Sequence, residues 1–191
     1  MLTVYRIIGD VDNYQYFLPD DFDAVRTIKL KGNPIGEAWE PPPIYRANPQ
    51  KKEPDFWDCT ASSGGAFAIK KGNSKIPGHL MSILEGSCEL LPMECDGEHF
   101  LLCNVTIVLN ALNKKESRHV EGVPSFIKEY VFHPHRLDTS LFKIPETVLG
   151  EVLCLEGLAA PDDEFKGMVE ELGLTGLVFQ KLWSGERAKG R

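Results

Sequence analysis

Residues 165–183 read FKGMVEELGLTGLVFQKLW, and this one run predicts a helix, its stop and a strand. Phe165, Met168, Val169 and Leu172 recur at i, i+3, i+4 and i+7, which lines them along one face of an amphipathic helix. Pro161 with Asp162, Asp163 and Glu164 predicts the first turn, where proline forfeits no hydrogen bond and acids meet the positive end of the helix dipole. Gly173 follows the last periodic residue, where a left-handed C′ cap favours a residue without Cβ. Thr175-Gly176 then turns the chain into LVFQKLW, a run rich in strand formers. Upstream, GEVLCLE at 150–156 predicts another strand. The result is a strand-helix-strand unit that is scaffold, with no catalytic side chain in it.

Outward from this unit the same signals recur more weakly. TVYRII near the start predicts a strand, followed by an acidic, turn-rich segment. Between Gly32 and Gln50 lie Pro34, Pro41, Pro42, Pro43 and Pro49, which exclude a regular helix or a central strand. GGAFAIKK at 64–71 predicts a short strand and KIPGHLMSILEG a short helix ending at Gly86. CELLPMECDGEHFLLCNVTIVLNAL contains two strand-like runs about Asp96-Gly97, a dipeptide that favours a type I′ hairpin turn. FIKEYVF and LFKIPE add further strands. With no internal repeat or low-complexity tract, the expectation is one α+β domain over residues 1–183, a mostly antiparallel sheet with few helices, and a flexible basic tail at 184–191.

Composition narrows the class. The chain has 191 residues, enough to bury a sizeable core, with 42% hydrophobic and 26% charged residues. A net charge of −7 disfavours nucleic acid as the main partner, because phosphate binding needs a basic face. Asp10, Asp12, Asp20, Asp21 and Asp23 crowd the first segment, while Lys181, Arg187, Lys189 and Arg191 make the end basic. Such acidity either keeps a surface solvated or steers a basic protein partner. The five cysteines, Cys59, Cys88, Cys95, Cys103 and Cys154, are odd in number and sit in apolar surroundings, which predicts buried thiols in a reducing compartment. MLTVYRIIGDVDNYQ lacks a signal-peptide pattern and no run approaches a membrane span, so the expected location is cytoplasmic.

Few residues suggest chemistry. His133 and His135 in FHPHRLD, with Asp138 nearby, would need His99 or Cys95 from CDGEH to complete a metal site, and the spacing matches no metal pattern. Cys59 in DCTASSGG precedes a glycine-rich turn, but no base is readable for it, and Ser62-Ser63-Gly64-Gly65 is not a nucleophile elbow. Glu85, Glu89, Glu94, Asp96 and Glu98 alternate with apolar residues about the hairpin and read as a solvated tip. Trp39, Tyr45 and Trp57, with Glu40, Asp55 and Asp58, lie in or beside the proline-rich connection together with Phe56. They either pack back on the core or form an aromatic and acidic contact patch for a protein.

The order of YRIIGD, EAWEPPPIYRANPQKKEPDFWDC, GGAFAIKK, LMSILEGSCELLPMECDGEHFLLCNVTIVLNALNKKES, SLFKIPE and VEELGLTGLVFQKLW resembles immunity-protein family eleven of bacterial polymorphic toxin systems, long described as a domain of unknown function. The resemblance runs over about residues 1–183, and Asn113 stands where the family pattern leads one to expect an aspartate. It implies a cytoplasmic, non-catalytic inhibitor with no cofactor that binds a cognate toxin domain. On that reading Trp39, Glu40, Tyr45, Asp55, Trp57 and Asp58 are the expected contact residues, and homo-oligomerisation is open. The competing readings are a small metal-dependent or cysteine hydrolase, and an orphan protein with a structural or regulatory role.

Overall fold

The computed structural model describes residues 1–21, 30–59, 65–147 and 150–186. Asp23, Ser62-Ser63-Gly64, Arg187, Lys189 and Arg191 lie outside the described residues. Twelve strands and two α-helices are described, in chain order β1 (Leu2–Gly9), β2 (Tyr16–Pro19), β3 (Ile44–Ala47), β4 (Phe56–Asp58), β5 (Phe67–Lys70), α1 (Gly78–Ser87), β6 (Cys88–Cys95), β7 (Glu98–Val105), β8 (Arg118–Val120), β9 (Val123–Glu129), β10 (Leu141–Phe142), β11 (Val152–Glu156), α2 (Phe165–Glu171) and β12 (Leu177–Gly185). All strand pairing within the sheets is antiparallel, and the fold is α+β with few helices.

The terminal unit folds as its local signals dictate. Gly173 has φ +61°, its N–H donates to the Glu170 carbonyl at 3.1 Å, and the Leu174 N–H donates to the Val169 carbonyl at 3.0 Å. Those two bonds make a Schellman stop, and Val169 and Leu174 meet in the same core cluster. The start of the helix differs from expectation. Asp162 and Asp163 belong to a separate 3₁₀ turn at Pro161–Asp163, and α2 begins one residue after Glu164. The Glu164 carboxylate turns back instead and accepts the amides of Gly157, Leu158 and Ala159. The Phe165 amide is capped by the Ser140 hydroxyl at 2.7 Å.

β11 and β12 do not pair with each other. The sheet order is β10-β11-β1-β12, so the first strand of the chain lies between the last two and is antiparallel to both. β11, α2 and β12 therefore form a parallel crossover split by β1. Ser184 and Gly185, expected in the tail, pair with Thr3 and Leu2 inside this sheet.

The second large sheet runs β4-β5-β7-β6. Its hairpin joins Cys95 opposite Glu98 through Asp96 (φ 54°) and Gly97 (φ 76°), the two left-handed residues that a type I′ turn requires. α1 runs straight into β6, whose first amide still donates to the Leu84 carbonyl. Pro92 sits in β6, an outer strand, where its missing N–H breaks no ladder.

Both sheets are covered on both faces. Between them lie Phe56, Phe67, Phe165 and Leu84 with the inner faces of α1 and α2. The far face of the β4-β5-β7-β6 sheet buries Trp57, Phe100 and Leu102 under Phe17, Leu30 and Ile44. The far face of the other sheet buries Val4, Leu153 and Leu155 under Leu112, Phe132 and Leu137. Asn113 accepts the amides of Lys115 and Glu116 through Oδ1 and so shapes the turn before β8. Among the described residues, no helix is long and apolar enough to cross a membrane.

Candidate functional site

The proline-rich connection becomes a ribbon, and its alternation decides which side chains face water. Pro42 and Ile44 point inward and are buried, whereas Pro41, Pro43 and Tyr45 are exposed. β2 pairs with β3 in the register Phe17↔Arg46 and Leu18↔Tyr45. Phe17 is consequently the inward anchor, fully buried and stacked on Trp57 at 4.6 Å. Tyr16, Leu18 and Tyr45 share the outer face with the buried Ala47, Tyr45 being 44% exposed and Tyr16 and Leu18 half-buried.

Several polar anchors fix this ribbon in place. The Trp39 indole donates to the Pro92 carbonyl at 2.8 Å, which leaves the ring half-buried against the cluster beneath. The Glu89 carboxylate accepts the Ile35 and Gly36 amides at 2.8 and 2.7 Å and the Asn104 side chain at 3.0 Å. Burial works to raise its pKa, but those donors outweigh burial and hold it below the usual carboxylate value. Arg46 lies over the Trp57 ring at 5.3 Å and pairs with Glu53 and Glu98, and Glu98 also pairs with Lys70. Burial works against the charge on Arg46, yet Glu98 and Glu53 raise its pKa above the ordinary guanidinium value. Glu98, expected at a solvated tip, thus ties the hairpin to the ribbon.

The expected contact residues divide. Tyr45 and Glu40 are exposed and Trp39 is half-buried. Trp57 is 1% exposed and Asp55 5% exposed, so neither can form part of a contact patch. Trp57 belongs to a three-residue strand whose face meets Phe17 and Phe100. Asp55 is a structural anchor, accepting the Thr175 amide and hydroxyl at 3.0 and 2.8 Å and pairing with Lys75. Asp58 sits on the other side of the sheet edge, in the wall of a cavity of about 310 Å³ with Arg6, Gly9 and Glu151. Gly9 allows that approach, since a Cβ there would fall 2.3 Å from the Asp58 Cβ. Arg6 and Glu151 pair with each other, and Tyr130 donates to Glu151.

The candidate catalytic groups are not assembled. Cys59 is fully buried, and burial followed by the nearby Asp58 charge pushes its thiol pKa well up, the opposite of an activated nucleophile. His133 precedes the 3₁₀ turn Pro134–Arg136 and His135 lies within it, their rings tilted with centroids 5.6 Å apart. Cys95 and His99 lie instead at the tip of the β6–β7 hairpin, where the Cys95 thiol donates to the Ile44 carbonyl and His99 faces Glu94. Among the described residues, no group of three His, Cys, Asp or Glu side chains is placed to hold a metal ion.

Two surface features lay beyond the local signals, although FIKEYVF pointed to part of β9. β8 and β9 form a separate two-stranded ribbon that exposes Val120, Val123 and Phe126, the last 66% exposed. Gly122, with φ +77°, was the available turn signal between its strands. The outer pairing of Leu18 with Tyr45 was the second, and only the alternation within PPPIY pointed to it. Compared with known proteins, the chain matches no family model and no curated protein.

Proposed function

We propose that this chain is a non-catalytic immunity protein of the cytoplasm that binds and neutralises a cognate toxin domain. The observation that carries this reading is the outer face of the β2–β3 ribbon. Tyr16, Leu18 and Tyr45 are presented together on a ribbon whose inner side is anchored by Phe17, Trp39, Glu89 and Arg46. Aromatic side chains held on a rigid support are what protein contact surfaces use for affinity, since little rotamer freedom is lost on binding. Asp20 and Glu40 flank the ribbon in sequence, are exposed, and bond to no described side chain. They add carboxylates that favour a basic partner and speed its approach. The resemblance to immunity-protein family eleven supports the same reading from the order of its motifs.

The test is co-expression with the product of the adjacent gene, scoring host survival and co-purification. Rescue with a stable complex is expected, and Tyr45→Ala and Leu18→Ala should each weaken the complex by about tenfold or more, the range of a contact hot spot. Absence of both toxicity and complex would sink the proposal. A complex insensitive to both substitutions would move the interface elsewhere, with the β8–β9 ribbon as the next surface to substitute.

A further inference from the structure

The two large sheets have four outer edges, and among the described residues three of them are short, capped or interrupted by proline. β10 is two residues long, and Lys143 beside it exchanges backbone bonds with Ile107 and Leu109. β4 is three residues long, and its Phe56 amide donates to the Thr175 carbonyl. β6 carries Pro92, whose carbonyl takes the Trp39 indole. β12 is different: it is nine residues long, pairs among the described residues with β1 alone, and has no fully buried residue.

Hydrogen-bond phase shows which of its groups are open. The Asp10 amide donates to the Gly176 carbonyl at 2.9 Å, so Gly9 and Leu177 are a non-hydrogen-bonded antiparallel pair. Alternating along the register, Val178 and Gln180 bond to Ile8 and Arg6, and the backbone groups of Leu177, Phe179 and Lys181 point away from β1. No described residue bonds to these groups. The open stretch ends at Leu182, the extra residue of a bulge opposite Val4, where Leu182 and Trp183 both pack toward the same core cluster. Beside the open stretch, the cross-strand pair Ile8 and Val178 is 40% and 46% exposed. β12 contains Lys181 and no carboxylate, although the chain carries 28 acidic residues.

We propose that this edge pairs with the same edge of a second copy of the chain, antiparallel about a two-fold axis through Phe179. That register uses every open group: Phe179 faces its own mate, and Leu177 faces Lys181 of the second copy, giving narrow hydrogen-bonded pairs. Val178 faces Gln180 of the second copy in a non-hydrogen-bonded pair, where side chains come closest. The two Lys181 side chains lie at opposite ends of the joint and do not repel. With no carboxylate in β12, two acidic chains can meet along this edge without like charges opposed. Two four-stranded sheets become one of eight, and the isologous contact closes the assembly at two copies.

Light scattering after gel filtration over a range of concentrations gives the first readout. A mass twice the 21.4 kDa chain is expected, and a single-chain mass at every concentration overturns the proposal, leaving the edge to a strand of another protein or to solvent. Lys181→Pro removes an outward N–H without touching a bond to β1, so the dimer should be lost while the circular dichroism of the fold is kept. The register is read separately with Val178→Cys combined with Gln180→Cys. With oxidised glutathione as oxidant, each facing thiol pair loses two hydrogens to form a disulfide while glutathione disulfide is reduced to two thiols. A covalent dimer is expected from the double variant and not from Val178→Cys alone; all five native cysteines are buried and do not compete. A dimer that survives Lys181→Pro and gives no such cross-link places the interface elsewhere and overturns the proposal.

Discussion

Replacing Asp55 by alanine removes the strap that ties the two large sheets together. Its carboxylate, 5% exposed, accepts the Thr175 amide at 3.0 Å and hydroxyl at 2.8 Å, while the neighbouring Phe56 amide donates to the Thr175 carbonyl. A hydrogen bond to a charged acceptor contributes about 1.5–3 kcal/mol. Thr175 is half-buried, so the lower end applies, and two such bonds give about 3 kcal/mol. For a chain of this size each kcal/mol moves the midpoint by about 2–4 °C, so thermal unfolding should come roughly 6–12 °C earlier. The pH dependence checks the cause. Burial works to raise the Asp55 pKa, but Lys75, Thr175 and Asn73 hold it below the ordinary carboxylate value. A depressed folded value stabilises above the unfolded value of about 3.9, and that stability is lost as pH falls through the folded value. The gap between wild type and Asp55→Ala, measured by urea unfolding, should therefore be widest near neutrality and close under acid. A loss below about 1 kcal/mol at neutral pH, or a gap independent of pH, would refute the assignment of Asp55 as a charged strap.

Two further outcomes follow from buried phenols and a crowded glycine. Tyr5 and Tyr130 are held neutral, first by burial and then by Glu156 and Glu151 respectively, with pKa values raised to about 12. Absorbance titration should show two of the five tyrosines ionising late, and stability should fall as pH rises above the unfolded value of about 10; five phenols titrating together near that value would contradict it. Gly176→Ala forces a Cβ to 2.0 Å from the Phe56 carbonyl oxygen at φ +99°, so it should cost more than about 1–3 kcal/mol, the scale of left-handed strain alone. A variant with wild-type unfolding would show that β4 is free to move away.

What the sequence revealed was what a short window can hold. The Gly173 stop, the Asp96-Gly97 turn and the Phe165, Met168 and Val169 face of α2 depend on neighbours within a few residues and lie where their signals put them, whereas Leu172, expected on that face, caps the helix and is 45% exposed. The place of β1 between β11 and β12 depends on residues about 150 to 180 positions away, which no local period encodes. The acids at Asp162 and Asp163 misled because a 3₁₀ turn accepts the same residues as a first helical turn. For the candidate surface, composition pointed to Tyr45, Glu40 and Trp39, which are exposed or half-buried, and equally to Trp57 and Asp55, which are buried. A three-residue strand is too short to show which face it buries, and a carboxylate carries no mark of the threonine it will meet.

The position of β1 also governs when the chain can fold during synthesis. Its eight residues are made well before both strands that bond to it, which come after Glu151, β12 only after Gly176. At ~5–20 residues per second, β1 waits roughly seven to thirty seconds with both edges unpaired. Through that interval Leu2, Val4, Ile7 and Ile8 present an apolar strand to whatever else is nascent or nearby. A polysome crowded with such chains favours pairing between neighbours, so the yield of native protein is governed by translation speed and holdase chaperones as well as by the stability of the finished sheet.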